Sequence, residues 1–190
     1  MTEKAEILSR VELIEQMIAA GKRTTEHHGW VFITWGIGYL VATTRMYLLP
    51  EPDIAWSVTM SVCGVLTGVG FWLTHRAKKT ATEAEHSAGG VWIATALVFI
   101  PFILSGEAYK PMTAAVVIFF IIGLANLASG NILRWWPQRM VGLLWWSCAV
   151  ALANGPKNLY PVIFVFNALV CQIGFGLYLI MLDRKELHRA

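Results

Sequence analysis

The charged residues of this 190-residue chain are confined to short segments, and this uneven distribution constrains the fold more than any other feature. Six runs contain no Asp, Glu, Lys or Arg, and together they hold 126 residues: 27–44, 54–75, 86–106, 111–133, 140–156 and 158–182. Each surface helix of a soluble domain has an apolar face and a charged face, and a run without charged residues cannot form the charged face. About 20 apolar residues in a helix cross a bilayer core of roughly 30 Å. The pattern therefore predicts a membrane protein rather than a disordered chain, a disulfide scaffold or a soluble enzyme.

Proline, glycine and polar residues separate the charge-free runs and predict where each helix ends. Such breaks occur at 50–53, 106–111, 136–139 and 154–157. We therefore expect an all-α fold, a polytopic membrane bundle of six transmembrane helices at about 28–49, 54–75, 88–106, 111–134, 138–154 and 159–183. A cytoplasmic amphipathic helix and linker at 1–26 precede this transmembrane domain of residues 27–184, and a tail at 185–190 follows it.

The basic residues between the helices predict the orientation, because loops retained in the cytoplasm carry excess Lys and Arg. Twelve of them lie on one side of the six predicted spans, and three lie on the other, namely Arg45, Lys110 and Lys157. We therefore expect a multi-pass protein of the bacterial cytoplasmic (inner) membrane with both its N-terminus and its C-terminus in the cytoplasm.

An apolar stripe runs along the predicted N-terminal helix at residues 3–22. Its members are Ile7, Val11, Ile14 and Ile18, spaced by 4, 3 and 4 residues, which is the period of one helix face. The opposite face is acidic, whereas helices that adhere to anionic lipid carry Lys and Arg there. The stripe is too short to predict a free coiled coil. We therefore expect it to dock beneath the bundle or to bind another protein.

The six predicted helices group into three hairpins, 28–76, 86–134 and 136–184, as a parallel repeat of α-hairpins would produce. A shift of 58 residues aligns His28 with His86. Every second helix also carries glycine before its basic end. In the first hairpin, Gly64 and Gly68 form a GxxxG step that permits close approach of two helices.

Two short stretches carry a resemblance to a known group of proteins. The first predicted span contains GW at 29–30 and WGIGY at 35–39, and the last contains GFGLYL at 174–179 before DRK at 183–185. Together with the amphipathic N-terminal helix, this pattern resembles uncharacterised bacterial six-span integral membrane proteins of about 190 residues. The resemblance implies the six-span architecture and implies no activity.

Histidines at the predicted cytoplasmic ends of the helices are candidate metal ligands. They are His27, His28, His75 and His86, with glutamates nearby, and two or three imidazoles with a carboxylate suit a transition metal such as zinc. No HxxxH or HExxH spacing brings them together, so polar capping of the helix ends is the alternative. Haem is not expected, because no histidine projects from the middle of a span.

Uncharged polar side chains within the spans have two interpretations. Hydrogen bonds between membrane helices contribute about 0.6–2 kcal/mol, so such residues commonly hold helices together. The alternative is that Asn126, Asn167 and Gln172 line a path for a small uncharged solute. A continuous polar cavity at these three residues would favour the solute path, and a solid core would count against it.

No set of residues suggests catalysis, since the chain has no GxSxG motif and no pair of carboxylates within a span. We therefore expect a non-enzymatic integral membrane protein that acts by protein association, as an accessory subunit or a membrane-embedded regulator. Its expected partners are membrane lipids and either another protein or further copies of itself, with no cofactor and no nucleic acid. The alternatives are a passive channel or carrier for a small uncharged solute, and a metal-binding membrane protein that uses the histidines.

Overall fold

The computed structural model describes residues 3–48, 52–75, 83–104 and 111–187, and every regular element within these ranges is a helix. The first six are α1 (Glu3–His27), α2 (Gly29–Leu48), α3 (Pro52–His75), α4 (Glu83–Leu104), α5 (Pro111–Ile132) and α6 (Trp136–Asn154). A 3₁₀ turn (Lys157–Leu159) then leads into α7 (Tyr160–Asn167), a π-helical segment (Ala168–Gly174) and α8 (Phe175–Leu187). The last three continue one another as a single rod, because the residues that join them are helical.

The all-α prediction is confirmed for the described residues, and the helix bounds differ from the predicted ones in physically simple ways. The N-terminal helix continues beyond the predicted residue 22 to His27. α4 begins at Glu83, five residues before the predicted start. α6 begins at Trp136, two residues early, because Pro137 lies in the first turn, where a helix needs no N–H donor.

Two helical stretches are long and apolar enough to cross a membrane, Thr113–Ile132 and Lys157–Lys185. Shorter apolar stretches occur at Val58–Leu73 in α3 and His86–Val98 in α4. α2 is long enough but carries several aromatic residues and Arg45, which lower its mean hydropathy. By length and composition, the described helices thus contain candidates for two of the six predicted spans, and the six-span architecture stays a prediction.

The connection between α5 and α6 is a Schellman motif. The Trp135 N–H donates to the Gly130 carbonyl at 2.8 Å and the Arg134 N–H donates to the Asn131 carbonyl at 3.1 Å. Arg134 adopts the left-handed conformation that this motif requires, with φ of 47°. The Arg139 side chain adds a third bond, from Nε to the Gly130 carbonyl at 3.0 Å. These bonds satisfy carbonyls at the end of α5 and fold α6 back along it.

Two groups of aromatic side chains fill the core. The first group, which we call the Phe119 cluster, has ring centroids 4.7–6.5 Å apart and consists of Tyr39, Trp56, Phe119, Trp145 and Phe164. The second group lies nearer the α1–α2 junction and consists of Phe32, Trp92, Trp135, Phe175 and Tyr178. Edge-to-face pairs contribute about 0.5–1.5 kcal/mol beyond their buried area. The Phe119 cluster joins α2, α3, α5, α6 and α7.

Helices α2 and α8 contact each other backbone to backbone. A Cβ atom on Gly176 would lie 2.7 Å from the Gly29 carbonyl oxygen and 2.7 Å from Cγ1 of Ile33. The two glycines of the predicted GxxxG step behave differently, since a Cβ on Gly64 or Gly68 would meet no described atom within 4 Å. Helices α2 and α8 thus approach each other closely at Gly29 and Gly176, as α5 and α6 do at Gly123 and Gly142, whereas the described helices do not do so at the GxxxG step.

This difference predicts opposite effects of two glycine-to-alanine substitutions. We expect Gly176→Ala to lower the free energy of unfolding by about 1–3 kcal/mol, because the added methyl group forces the two backbones apart. Gly68→Ala is the matched control and should leave the stability unchanged or slightly higher, since alanine favours the helix and meets open space. Thermal unfolding of both variants in detergent measures the difference, and equal midpoints would contradict the described α2–α8 contact.

Candidate functional site

The first half of α1 lies outside the bundle. Every residue from Glu6 to Gln16 is exposed. The first three members of the predicted stripe, Ile7, Val11 and Ile14, are 55%, 48% and 51% exposed. No described part of the chain therefore covers this half of the stripe.

The second half of α1 is docked against the bundle. Ile18 is half-buried and Gly21 is buried. A Cβ atom on Gly21 would lie 2.7 Å from Cδ2 of Leu133 and 3.3 Å from the Cβ of Ala84. α1 thereby contacts α4 and α8. The predicted stripe is thus divided, because Ile18 belongs to the docked half and the other three members do not.

Side chains at the α1–α2 junction tie α1 to two other helices. His28 Nδ1 donates to the Thr24 carbonyl, and its ring packs on that of Phe71 in α3 with centroids 4.9 Å apart. His27 Nδ1 lies 3.5 Å from Oδ2 of Asp183 in α8, and the two form an ion pair when the imidazole is protonated. The docked half of α1 is therefore held by specific contacts, whereas the exposed half has an intrahelical Glu6–Arg10 pair at 2.6 Å.

Two of the four predicted metal ligands lie together. The ring centroids of His27 and His28 are 5.8 Å apart. His86 is exposed on α4, and the side chain of His75 lies outside the part of the chain that is described. Among the residues that are described, no group of three or more His, Cys, Asp or Glu side chains is placed to hold a metal ion. The histidine metal site stays a prediction.

The three residues predicted to line a solute path are all buried in the bundle. Asn126 and Asn167 are fully buried, and Gln172 is nearly so. Asn126 Nδ2 donates to the Ile122 carbonyl at 3.0 Å. Neither polar atom of Asn167 makes a hydrogen bond of standard geometry within the described ranges, and its nearby polar group is the thiol of Cys148, a weak hydrogen-bonding group. A buried polar group without a hydrogen-bond partner costs about 1–3 kcal/mol. Helix packing therefore explains the burial of Asn167 less well than the burial of Asn126 or Gln172.

Further buried side chains have a polar atom without a partner in the described structure, and our sequence analysis does not assign them to the lining: Thr43, Ser129, Gln138 and Trp145. Gln138 shows why. Gln138 is the first residue of the helix predicted at 138–154 and follows Pro137, a position where side chains commonly face water. The buried face of α6 includes residues 138, 141, 145, 148 and 152, and this helical spacing is the signal that would have placed it inside.

The π-helical segment lies against α2 and carries Cys171 and Gln172 on its buried side. A Cβ atom on Gly36 would lie 2.6 Å from Cγ1 of Ile173 and 2.8 Å from the Cβ of Gln172. Wide π turns occur frequently at functional sites. No residue pattern in this stretch distinguishes it from an ordinary α-helix, so the sequence could not predict it.

Aromatic side chains pack in the core one to two helical turns from two of the buried amides. Phe119 precedes Asn126 by about two turns and Phe164 precedes Asn167 by about one, and these two rings contact each other with centroids 5.3 Å apart. A depression on the described surface lies elsewhere, and it is shallow, apolar and lined by Pro161, Val162, Val165 and Phe166. The solute path stays a prediction.

No model of a protein family, no curated protein and no solved structure matches the chain. A functional proposal therefore depends on the residues and geometry of the chain itself.

The lack of a hydrogen-bond partner at Asn167 predicts the effect of replacing its amide side chain with an apolar one. We expect Asn167→Leu to raise the thermal midpoint, because leucine has a similar volume and carries no polar group that must be desolvated. Asn126→Leu is the matched control and should gain less, since it also loses the bond to the Ile122 carbonyl. Thermal unfolding in detergent compares the two variants. A lower midpoint for Asn167→Leu than for Asn126→Leu would contradict this expectation and show that the Asn167 amide is hydrogen-bonded within the native protein.

Proposed function

We propose that this chain is a non-enzymatic integral membrane protein of the bacterial cytoplasmic membrane that spans the bilayer six times and acts by binding a protein through α1. The role that fits is an accessory subunit or a membrane-embedded regulator. The observation that carries the proposal is the exposure of Ile7, Val11 and Ile14 on a helix whose second half is docked.

The outer surface of the bundle supports the membrane part of the proposal. α3 exposes a row of large apolar side chains, namely Val58, Val62, Val65, Leu66 and Val69. The apolar windows of the two long candidate spans are only 39% and 44% buried, whereas a core helix of a soluble protein is mostly buried. Soluble monomers rarely expose contiguous apolar patches larger than a few hundred Å². These exposed apolar helix faces are therefore suited to contact the hydrocarbon core of a membrane.

The basic residues support the proposed orientation. Arg134 and Arg139 lie at the α5–α6 turn, and Arg184 and Lys185 lie near the end of α8. Both places are next to the docked part of α1, through the Gly21 contact with Leu133 and the His27 contact with Asp183. One end of the bundle thus collects basic side chains, as the cytoplasmic end of a membrane protein does. This end holds α1 in the cytoplasm.

Charge favours a protein rather than lipid as the occupant of the stripe. Glu6, Glu12 and Glu15 are exposed around the stripe, and the cation among them, Arg10, is already paired with Glu6. The cytoplasmic leaflet is negatively charged and attracts basic segments, so it does not attract this acidic surface. A protein surface can cover the apolar stripe and leave the carboxylates in water.

One observation favours a second candidate function, the binding of a small uncharged solute. Asn167 is fully buried with both amide atoms unpartnered among the described residues, and it lies immediately before the π-helical segment. Thermal unfolding with and without glycerol tests this candidate: a rise in the midpoint of the parent chain that Asn167→Leu abolishes would support solute binding at the amide, and an equal rise in both would favour simple helix packing.

Photo-crosslinking from α1 in native membranes tests the leading proposal. We expect a photoreactive amino acid at Val11 to form discrete adducts with protein, because that position lies on the exposed stripe. The same group at Glu12, one residue away on the polar face, is the matched control and should form few adducts. Ile14→Glu should abolish the adduct at Val11 by placing a charge in the contact. Adducts with lipid alone, or equal adducts from both positions, would contradict the proposal; mass spectrometry identifies the products.

A further inference from the structure

The exposed stripe of α1 has the spacing of a coiled-coil seam. If Val11 and Ile18 are assigned to a positions, Ile7 and Ile14 occupy d positions. The docked Gly21 would be the next d position, so the free seam extends from Ile7 to Ile14 and ends where the bundle begins. A partner for this seam is therefore a helix that runs beside the first half of α1.

The charges beside the seam match a second copy of α1 in parallel orientation. The same register places Arg10 at a g position and Glu15 at the following e position. In a parallel pair of helices, a g residue lies next to the e residue of the following heptad on the partner. Arg10 of one chain would therefore meet Glu15 of the other, and two-fold symmetry produces this pair twice. Both side chains are exposed in the single chain.

Membrane insertion restricts the orientation and supplies the concentration that so short a seam needs. Two copies inserted in the same direction are related by an axis along the membrane normal, so the parallel pair requires the free half of α1 to run along this axis. Confinement to one bilayer also raises the effective concentration of one α1 for another. A seam of fewer than three heptads is weak in water, and this confinement compensates for its weakness.

We propose that the partner of the α1 stripe is the α1 of a second copy of this chain, in a parallel two-fold pair with Arg10 next to Glu15 of the second copy. This inference rests on the proposed function of α1 as a protein-binding helix and names its partner. Arg10 is paired with Glu6 of its own chain at 2.6 Å, and Glu15 of the second copy would compete with Glu6 for the same guanidinium.

Site-directed cross-linking in membranes tests this pairing. The variant Ile7→Cys is treated with a short bismaleimide, and a cross-linked dimer is expected because the two Ile7 positions face each other only in the parallel arrangement. Ser9→Cys is the matched control on the outer face and should give little dimer. The parent chain gives the background, since Cys63, Cys148 and Cys171 are all buried.

Charge exchange in the Ile7→Cys variant distinguishes specific pairing of two α1 helices from cross-linking of chains that collide at random. Arg10→Glu or Glu15→Arg alone places like charges together twice, and we expect about a five-fold loss of dimer, the size that two exposed pairs allow. The double variant restores opposite charges and should restore the dimer. No loss in the single variants, no restoration in the double variant, or equal dimer from Ser9→Cys would overturn the inference.

The photo-crosslinking experiment distinguishes failure of this inference from failure of the proposed function. An adduct at Val11 that contains a different protein, with no Ile7→Cys dimer, overturns the self-pairing and leaves the protein-binding role intact. Lipid adducts alone overturn both. An adduct that contains two copies of this chain supports both.

Discussion

Backbone N–H and C=O groups must be paired wherever neither water nor charged side chains reach them, and the rest of this structure depends on that constraint. In hydrocarbon each unpaired group costs several kcal/mol, and a helix pairs them within one segment. The 126 residues of the charge-free runs therefore favour helices. The same constraint accounts for the α5–α6 turn, where the Trp135 and Arg134 N–H groups and the Arg139 side chain satisfy carbonyls at the end of α5.

In the proposed membrane setting, packing between such helices must come from shape, because lipid chains are as apolar as the side chains that would leave them. Close backbone approach at Gly29 and Gly176 and edge-to-face contacts in the Phe119 cluster supply it. α1 differs from the other helices, because it alternates charged and apolar faces in the manner of a helix in water. Its exposed apolar side chains therefore make it the element suited to bind another protein.

Much of the helical organisation could be predicted from the sequence, because prolines and charged residues mark helix ends locally. The contacts of each helix face could not be predicted, since they depend on residues far away in the chain. The stripe divides between Ile14 and Ile18 because Leu133 and Ala84 cover Gly21. Gly64 and Gly68 carry a packing motif, yet no described helix approaches them. The sequence indicated Asn126, Asn167 and Gln172 as candidate residues. The lack of a hydrogen-bond partner at Asn167 and the π-helical segment were visible only in the structure.

The six-span orientation is the central claim, and labelling of single cysteines with a membrane-impermeant maleimide in a bacterial host tests it most directly. Cysteines replace Glu51, Thr80, Ala108 and Asn158, which lie in the first, second, third and fifth of the five connections between the proposed spans. Buried native cysteines provide the background. The account predicts labelling at positions 51, 108 and 158 in intact cells, and at position 80 only after the membrane is permeabilised. Identical labelling at positions 51, 80 and 108 would mean that only the two long apolar helices cross the membrane, and would contradict it.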